Sequence, residues 1–306
     1  MRTALMRRIT DSASSDPSIM FVTGDLGFSV VEEFRDLLPK QFINCGVAEQ
    51  AMMSMAAGIA STNKRVFAYS ISNFATFRCL EQIRNDITFH GHSVCIVSVG
   101  AGASYGTLGY SHHGLEDLAI MRVLPGMRIF SPADNYETSS AIDAFLDEPG
   151  PTYLRLGRAP ATQIHAGVPN ISRGALEVRS GSDASILATG SVVSACLSAA
   201  ESLSDSGVDV QVVSVPRIKP FPIGQILELT QGRSLITVEE HSTTGGFGSA
   251  LLESLSSQRE SRFVSVLGFP PEGLEVHGSQ GFLNKAAGID PSGIVKSVID
   301  HLRAQR

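Results

Sequence analysis

The stretch Phe42–Ser61, FINCGVAEQAMMSMAAGIAS, decides the reading of this chain. Ala48, Ala51, Met52, Met55, Ala56 and Ile59 make one apolar stripe at helical spacing, and Met53, Ala57 and Ala60 make a second beside it. Gln50, Ser54, Gly58 and Ser61 form only a narrow polar strip, so the helix is expected to be buried on most sides. The FIN before it reads as the end of a strand. Glu49 therefore stands in the first helical turn, at a strand-to-helix corner. An ionised carboxylate in such a place is costly unless something pairs with it. Two readings are open. The acid caps the helix through its dipole and first-turn amides, a contribution of about 0.3 to 1 kcal/mol, or it is kept buried for chemistry.

Outward from this corner, short β-rich runs alternate with helical patterns. IMFVT, FIN, VFAYS, VCIVSV, MRIFS and TYLRL are the strands of a first half. This is the rhythm of a mainly parallel sheet covered by helices on both faces, a doubly wound α/β domain. Between Arg158 and Ser182 the pattern lapses into a stretch rich in Pro, Gly and Ser, which reads as a linker. A second alternation follows, from ASILAT through VQVVSV, SLITVEE and RFVSVLG to a last helix near PSGIVKSVIDHL. The expected organisation is two α/β domains, residues 1–165 and 166–306.

A chain of 306 residues, 43% hydrophobic and 18% charged, suits a globular protein of about two domains. The net charge of −6 comes without any basic cluster, which argues against nucleic acid or an anionic membrane surface as partner. No apolar run approaches the ~18 residues of a membrane span. The start, MRTALMRRITDSASSD, lacks the apolar centre of a signal peptide, so cytoplasm is the expected location. Cys45, Cys79, Cys95 and Cys196 show no CxxC spacing and read as reduced, mostly buried thiols.

Two glycine corners invite a nucleotide reading. VSVGAGASYG carries Gly100, Gly102 and Gly106 after a strand, but no helical stripe follows to present its N-terminus to a phosphate. EEHSTTGGFGSALLESL does open a helix at Gly245, Gly246 and Gly248, where an anion cradle and close packing of helix on sheet are both open. His90 and His92 form an HxH, and His112 and His113 are adjacent, with Glu116 and Asp117 close by. None has a recognised metal-ligand spacing, so no metal site is expected from them. The polar loop YSHHGLEDL is a candidate for substrate contact or proton transfer, beside the plainer reading of a solvated loop.

TGDLGFS, FINCGVAEQAMMSMAAGIA, FATFRCLEQIRND, YSHHGLEDLAIMRVLPGMRIFSPADNYE and YLRLGR occur in an order and spacing that resemble the pyrimidine-binding domain of transketolases and of 1-deoxyxylulose-5-phosphate synthase. The resemblance continues through ITVEEHSTTGGFGSALLESL into their C-terminal domain and so covers nearly the whole chain. It implies a thiamine diphosphate enzyme in which Glu49 hydrogen-bonds the aminopyrimidine ring and favours its imino tautomer. It also implies that Asp25, Phe74, Phe77 and Leu80 border the cofactor. Leu80 stands where transketolases place a second stacking phenylalanine. By the same resemblance, Arg2, Ser29 and Arg158 meet the sugar phosphate, and His112, with His113 beside it, meets the donor end of the substrate. Two departures bear on specificity: Leu108 replaces an acidic residue usually found four positions before the histidine, and Gly100 replaces an upstream substrate histidine.

The largest departure is an absence. Full-length transketolases hold the diphosphate through Mg²⁺ in another domain marked by a GDG motif, and this chain contains no GDG. The resemblance therefore implies one half of a split transketolase, with the diphosphate and Mg²⁺ held mainly by a separate partner chain in a heterotetramer. The expected activity is transfer of a two-carbon ketol unit between sugars or sugar phosphates. The alternatives are the beta chain of a 2-oxoacid dehydrogenase first component and a non-catalytic binding subunit.

Overall fold

A computed structural model of the chain describes residues 1–273 and 275–305. Its strands are β1 (Ile19–Thr23), β2 (Phe42–Asn44), β3 (Arg65–Ile71), β4 (Val94–Val99), β5 (Arg128–Phe130) and β6 (Thr152–Leu156), followed by β7 (Leu176–Arg179), β8 (Ala184–Thr189), β9 (Val210–Ser214), β10 (Arg217–Lys219), β11 (Leu235–Ser242) and β12 (Val264–Phe269). They form a seven-stranded sheet, β10-β5-β6-β4-β3-β1-β2, and a five-stranded sheet, β12-β11-β8-β9-β7. Pairing is parallel throughout except at one edge of each sheet, where β10 runs against β5 and β7 against β9. The central strands β1, β4, β6, β8 and β9 are buried at every residue, as expected of sheets covered on both faces.

On one face of the first sheet, Leu5 and Ile9 of helix Arg2–Ser15 and Ile142 and Phe145 of helix Asn135–Asp147 pack on Phe67 and Val97. On the other face, Met52, Met53, Ala56, Ala57 and Ala60 pack on Val66, Ala68, Val94 and Ile96. Each enclosed methionine there contributes about 1.5 to 3 kcal/mol. That core continues without a break through Ile218 and Phe247 to Leu187, Val213 and Leu235 of the second sheet.

Three sequence expectations need correction. Helix Glu49–Ala60 is not buried on most sides: Gln50, Ala51, Ser54, Met55 and Gly58 are exposed, because only the face toward the sheet is covered within one chain. The stretch 158–182 is not all linker, since Leu176–Arg179 pairs with β9 as an edge strand. Finally, β10 has no counterpart in the sequence reading; it lies in the second half of the chain but completes the first sheet.

Candidate active site

The β1 and β2 strands deliver two loops to one end of the first sheet, Gly24–Ser29 and Cys45–Ala48. Glu49 follows the second loop at the head of its helix and is 1% exposed. The hydrogen bonds its carboxylate accepts come from side chains: Arg78 Nη1 at 2.6 Å and the Ser70 hydroxyl at 3.4 Å. The helix N-cap, Ala48, offers no side-chain cap. Glu49 is therefore held by a cation and a hydroxyl rather than by first-turn amides, and of the capping reading there remains its place as the acid in the first helical turn. Gly24 passes close enough that a Cβ there would lie 3.3 Å from Glu49 Cγ.

The neighbouring loop is backbone-strained. Asp25 and Ser29 adopt φ of 58° and 63°, a region that non-glycine residues seldom occupy and that clusters at functional sites. Asn44 fixes Asp25 by accepting its N–H at 3.0 Å and donating to its carboxylate at 2.9 Å. The Ser29 N–H donates to Glu32 at 2.8 Å.

From Glu49 a line of contacts crosses the site. The Arg78 guanidinium lies 4.5 Å from the Phe74 ring centre, Phe74 meets His112 at 5.2 Å edge to face, and His112 meets Tyr105 at 5.7 Å. Arg158 then lies over Tyr105 at 5.0 Å. Phe77 is 40% exposed beside this line, and Leu80 is half-buried with its side chain on the core. Asn73 Nδ2 donates to Ser111 O at 2.6 Å and fixes the histidine loop to the Phe74 helix.

His113 does not share the exposure of His112. It is buried inside the loop with Nε2 2.9 Å from Gly106 O, and burial holds its pKa below the usual imidazole range. Arg2 and Arg158 line one cavity of about 530 Å³, with Arg7. Ser29 lines an adjoining one that shares Thr3 and Arg7 with the first. The sequence reading missed Arg78 and Tyr105. Their local signals were an arginine directly after Phe77 and a tyrosine inside the glycine-rich loop.

Behind the loop lies a buried polar cluster. Asp117 accepts from Arg155 Nε at 2.7 Å and from the Tyr153 hydroxyl at 2.6 Å, while Arg155 Nη2 donates to Gly114 O at 2.8 Å. Deep burial lowers the His241 pKa to about 4 and pushes Glu239 up to about 7. Glu239 accepts the N–H groups of Phe247 and Gly248 at 2.6 and 2.8 Å, so the chain's own carboxylate fills the helix N-terminus at the second glycine corner. A Cβ at Gly246 would fall 2.1 Å from Glu239, which makes close packing the reason for that glycine. His90 and His92 stack on each other at 5.5 Å. Among the described residues, no group of three or more His, Cys, Asp or Glu side chains is arranged to hold a metal ion. No helix among them is long and apolar enough to cross a membrane.

Residues 1–162 match the family described as transketolase, pyrimidine binding domain, and residues 174–294 the one described as transketolase, C-terminal domain. The chain is 34% identical over 300 residues to a subunit of the apulose-4-phosphate transketolase of Phocaeicola vulgatus, covering 96% of this chain and 95% of that one. It is 34% identical over 290 residues to 1-deoxy-D-xylulose-5-phosphate synthase of Pelotomaculum thermopropionicum, where 93% of this chain covers 45% of the longer protein. A solved structure described as a split gene transketolase, inactive beta4 tetramer, superposes with a TM-score of 0.87 at 31% identity, covering 100% of this chain and 98% of that one.

Proposed function

The chain belongs to the transketolase family, and on that premise we propose that it is one subunit of a split, thiamine diphosphate-dependent transketolase moving a two-carbon ketol unit between sugar or sugar-phosphate substrates. Residues 1–165 act as the pyrimidine-binding domain and 166–306 as the C-terminal domain. The observation that carries this reading is Glu49: a carboxylate 1% exposed, held by side chains at a strand-to-helix corner that opens onto Phe74 and Phe77.

These residues fit the aminopyrimidine end of the cofactor. Glu49 offers a charged acceptor in a water-poor corner, where a hydrogen bond to it is strong and its geometry fixed. Arg78, whose side chain is 45% exposed, is free to swing toward solvent and release that acceptor. Gly24 leaves room against the carboxylate, Phe74, Phe77 and Leu80 flank the ring, and Asp25 borders the pocket. When bound, thiamine diphosphate supplies the carbanion chemistry, and the protein supplies tautomer and orientation. His112, seated between Phe74 and Tyr105, faces the reacting end of the substrate, with His113 supporting its loop from within. Arg2, Arg158 and Ser29 bind its phosphate, for which the planar arginine fork is suited.

The diphosphate and Mg²⁺ are assigned to a partner subunit in a heterotetramer. Supporting this, Ala51, Met55 and Gly58 lie uncovered on the Glu49 helix, and Val47 and Phe28 beside the site are 78% and 73% exposed. The similar split-gene protein described as an inactive beta4 tetramer supports a chain that needs its partner. Four free cysteines, three of them buried, fit a reducing cytoplasm.

The test is reconstitution. Co-purified with its partner, the chain should transfer two-carbon units from a ketose to a phosphorylated aldose when thiamine diphosphate and Mg²⁺ are supplied. Alone it should bind the cofactor more weakly than ~1 µM, about −8 kcal/mol. Submicromolar, Mg²⁺-dependent binding by the isolated chain would overturn the split site. Decarboxylation of 2-oxoacids with no ketose turned over would move the complex to the dehydrogenase class.

A further inference from the structure

The loop that carries His112 is held from the C-terminal half of the chain. Gly102 and Gly114 exchange both backbone hydrogen bonds at 2.9 Å, which closes residues 103–113 into a clasped loop bearing Tyr105 and His112. The clasp rests on Glu240 of β11. This carboxylate is 3% exposed and accepts the Ala103 N–H at 3.0 Å. The backbone at Gly102 has φ of 62°, and a Cβ there would lie 2.3 Å from Glu240 Cγ, so only glycine lets the clasp descend onto the acid. Gln280 Nε2 fixes the carboxylate from the other side at 2.9 and 3.0 Å. The same turn meets the loop a second time, since a Cβ on Gly106 would stand 3.2 Å from Gly278 O.

Resting on the transketolase reading above, we infer that Glu240 is a positioning residue: through the Ala103 amide it sets the clasped loop, and with it Tyr105, His112 and the Arg158 side chain that lies over Tyr105. The Ala103 N–H and the Gln280 amide both donate to Oε1 of this acceptor-only group, and the Gln280 amide and, at 3.5 Å, the Ser191 hydroxyl donate to Oε2. A glutamine at position 240 has one acceptor oxygen and brings two N–H groups of its own. With its oxygen in the place of Oε1 it keeps the Ala103 N–H but sets its amide nitrogen where Oε2 lay, 3.0 Å from the Gln280 amide; with the amide reversed, its nitrogen meets the Ala103 N–H instead. The Arg155 contacts to Gly114 O and Glu240 O remain, so the loop loosens without losing its base.

The test compares Glu240→Gln with the double variant Glu240→Gln/Gln280→Glu, which restores opposite polarity to the pair. In the full-length chain, hydrogen–deuterium exchange of peptides spanning 101–114 should quicken about tenfold in the single variant and return toward wild type in the double, with peptides of β8 and β9 unchanged. In the reconstituted complex, the single variant should raise KM for a phosphorylated acceptor and lower kcat, each about five- to tenfold. Thiazolium proton exchange, which depends on Glu49, should stay at the wild-type rate. Amide exchange reads the clasp whether or not the complex transfers ketol units, so failure of the functional reading is separable from failure of this one. Wild-type exchange in the loop of Glu240→Gln, a quickened loop with unaltered KM and kcat, or no recovery in the double variant would each overturn the inference.

Discussion

Replacing Glu49 with Gln separates the two things a buried carboxylate can do. The side chain keeps its size and its amide oxygen still accepts from Arg78, so stability changes only by the difference between a charged and a neutral acceptor at one bond whose donor is 45% exposed. That is under about 1 kcal/mol. Removing the cation instead, in Arg78→Ala, leaves a carboxylate at 1% exposure with the Ser70 hydroxyl at 3.4 Å. A fully enclosed pair broken from one side costs about 3 to 5 kcal/mol. With one partner half exposed, and water free to enter where it was, about 1 to 2 kcal/mol is expected. The double variant should recover most of this, a coupling of about 1 kcal/mol. Catalysis should respond quite differently. In the cofactor-saturated complex, Glu49→Gln should slow exchange of the thiazolium proton by roughly 10² to 10⁴, which is about 3 to 5 kcal/mol of activation free energy. Urea titrations of the chain give the stabilities, and quenched NMR of the bound cofactor gives the exchange rate. Wild-type exchange in a folded, saturated Glu49→Gln complex would refute the activating role, and a stability loss above about 2 kcal/mol in that variant would return the residue to a structural one.

Arg158→Ala should raise KM for phosphorylated acceptors by about 10- to 150-fold, the loss of a charge-assisted contact of about 1.5 to 3 kcal/mol, and leave unphosphorylated ones nearly unchanged; equal effects on both would show that Arg158 does not face phosphate. His165 bears on pH stability. Its Nε2 lies 2.8 Å from Oε1 of the fully buried Glu137, and that hydrogen bond, more than the opposing burial, raises its pKa above 6.5. Since the raised value belongs to the folded state, the stabilisation is complete below about 6.5 and fades as pH climbs through it. The melting-temperature gap between wild type and His165→Gln should therefore be widest in mild acid and close on the alkaline side. A gap independent of pH would show that the pair does not titrate.

The two sheets were legible because parallel strands covered on both faces must be mostly apolar, as VCIVSV and ASILAT are apart from Ser98, Ser185 and Thr189. Edge strands carry no such mark. Arg217–Lys219 is three residues long, two of them basic, and its partner is β5, some 90 residues earlier, so nothing local announces it. The Glu49 helix failed in the opposite sense. A helix face packed on the sheet and one left open have the same composition here, and nothing in the stripe distinguishes Met55, exposed, from Met52, enclosed against the sheet. Within the site, Glu49 stood out as a charge at a strand-to-helix corner and His112 as one of a histidine pair in a polar loop, while Arg158 was reached through the family resemblance. Arg78 and Tyr105 did not, because what makes them matter is a partner 29 residues away and a ring beneath another residue's guanidinium. Long-range pairing leaves no periodicity to read.

Because β10 leaves the second half of the chain to close the edge of the first sheet, the two halves are stitched together rather than strung in series. A break at the linker would strip β5 of its outer neighbour and present bare N–H and C=O groups to any other strand, an invitation to aggregation. Dividing such a gene near residue 165 would therefore separate two pieces that need each other's backbone. Fission is resisted at the seam that β10 sews shut.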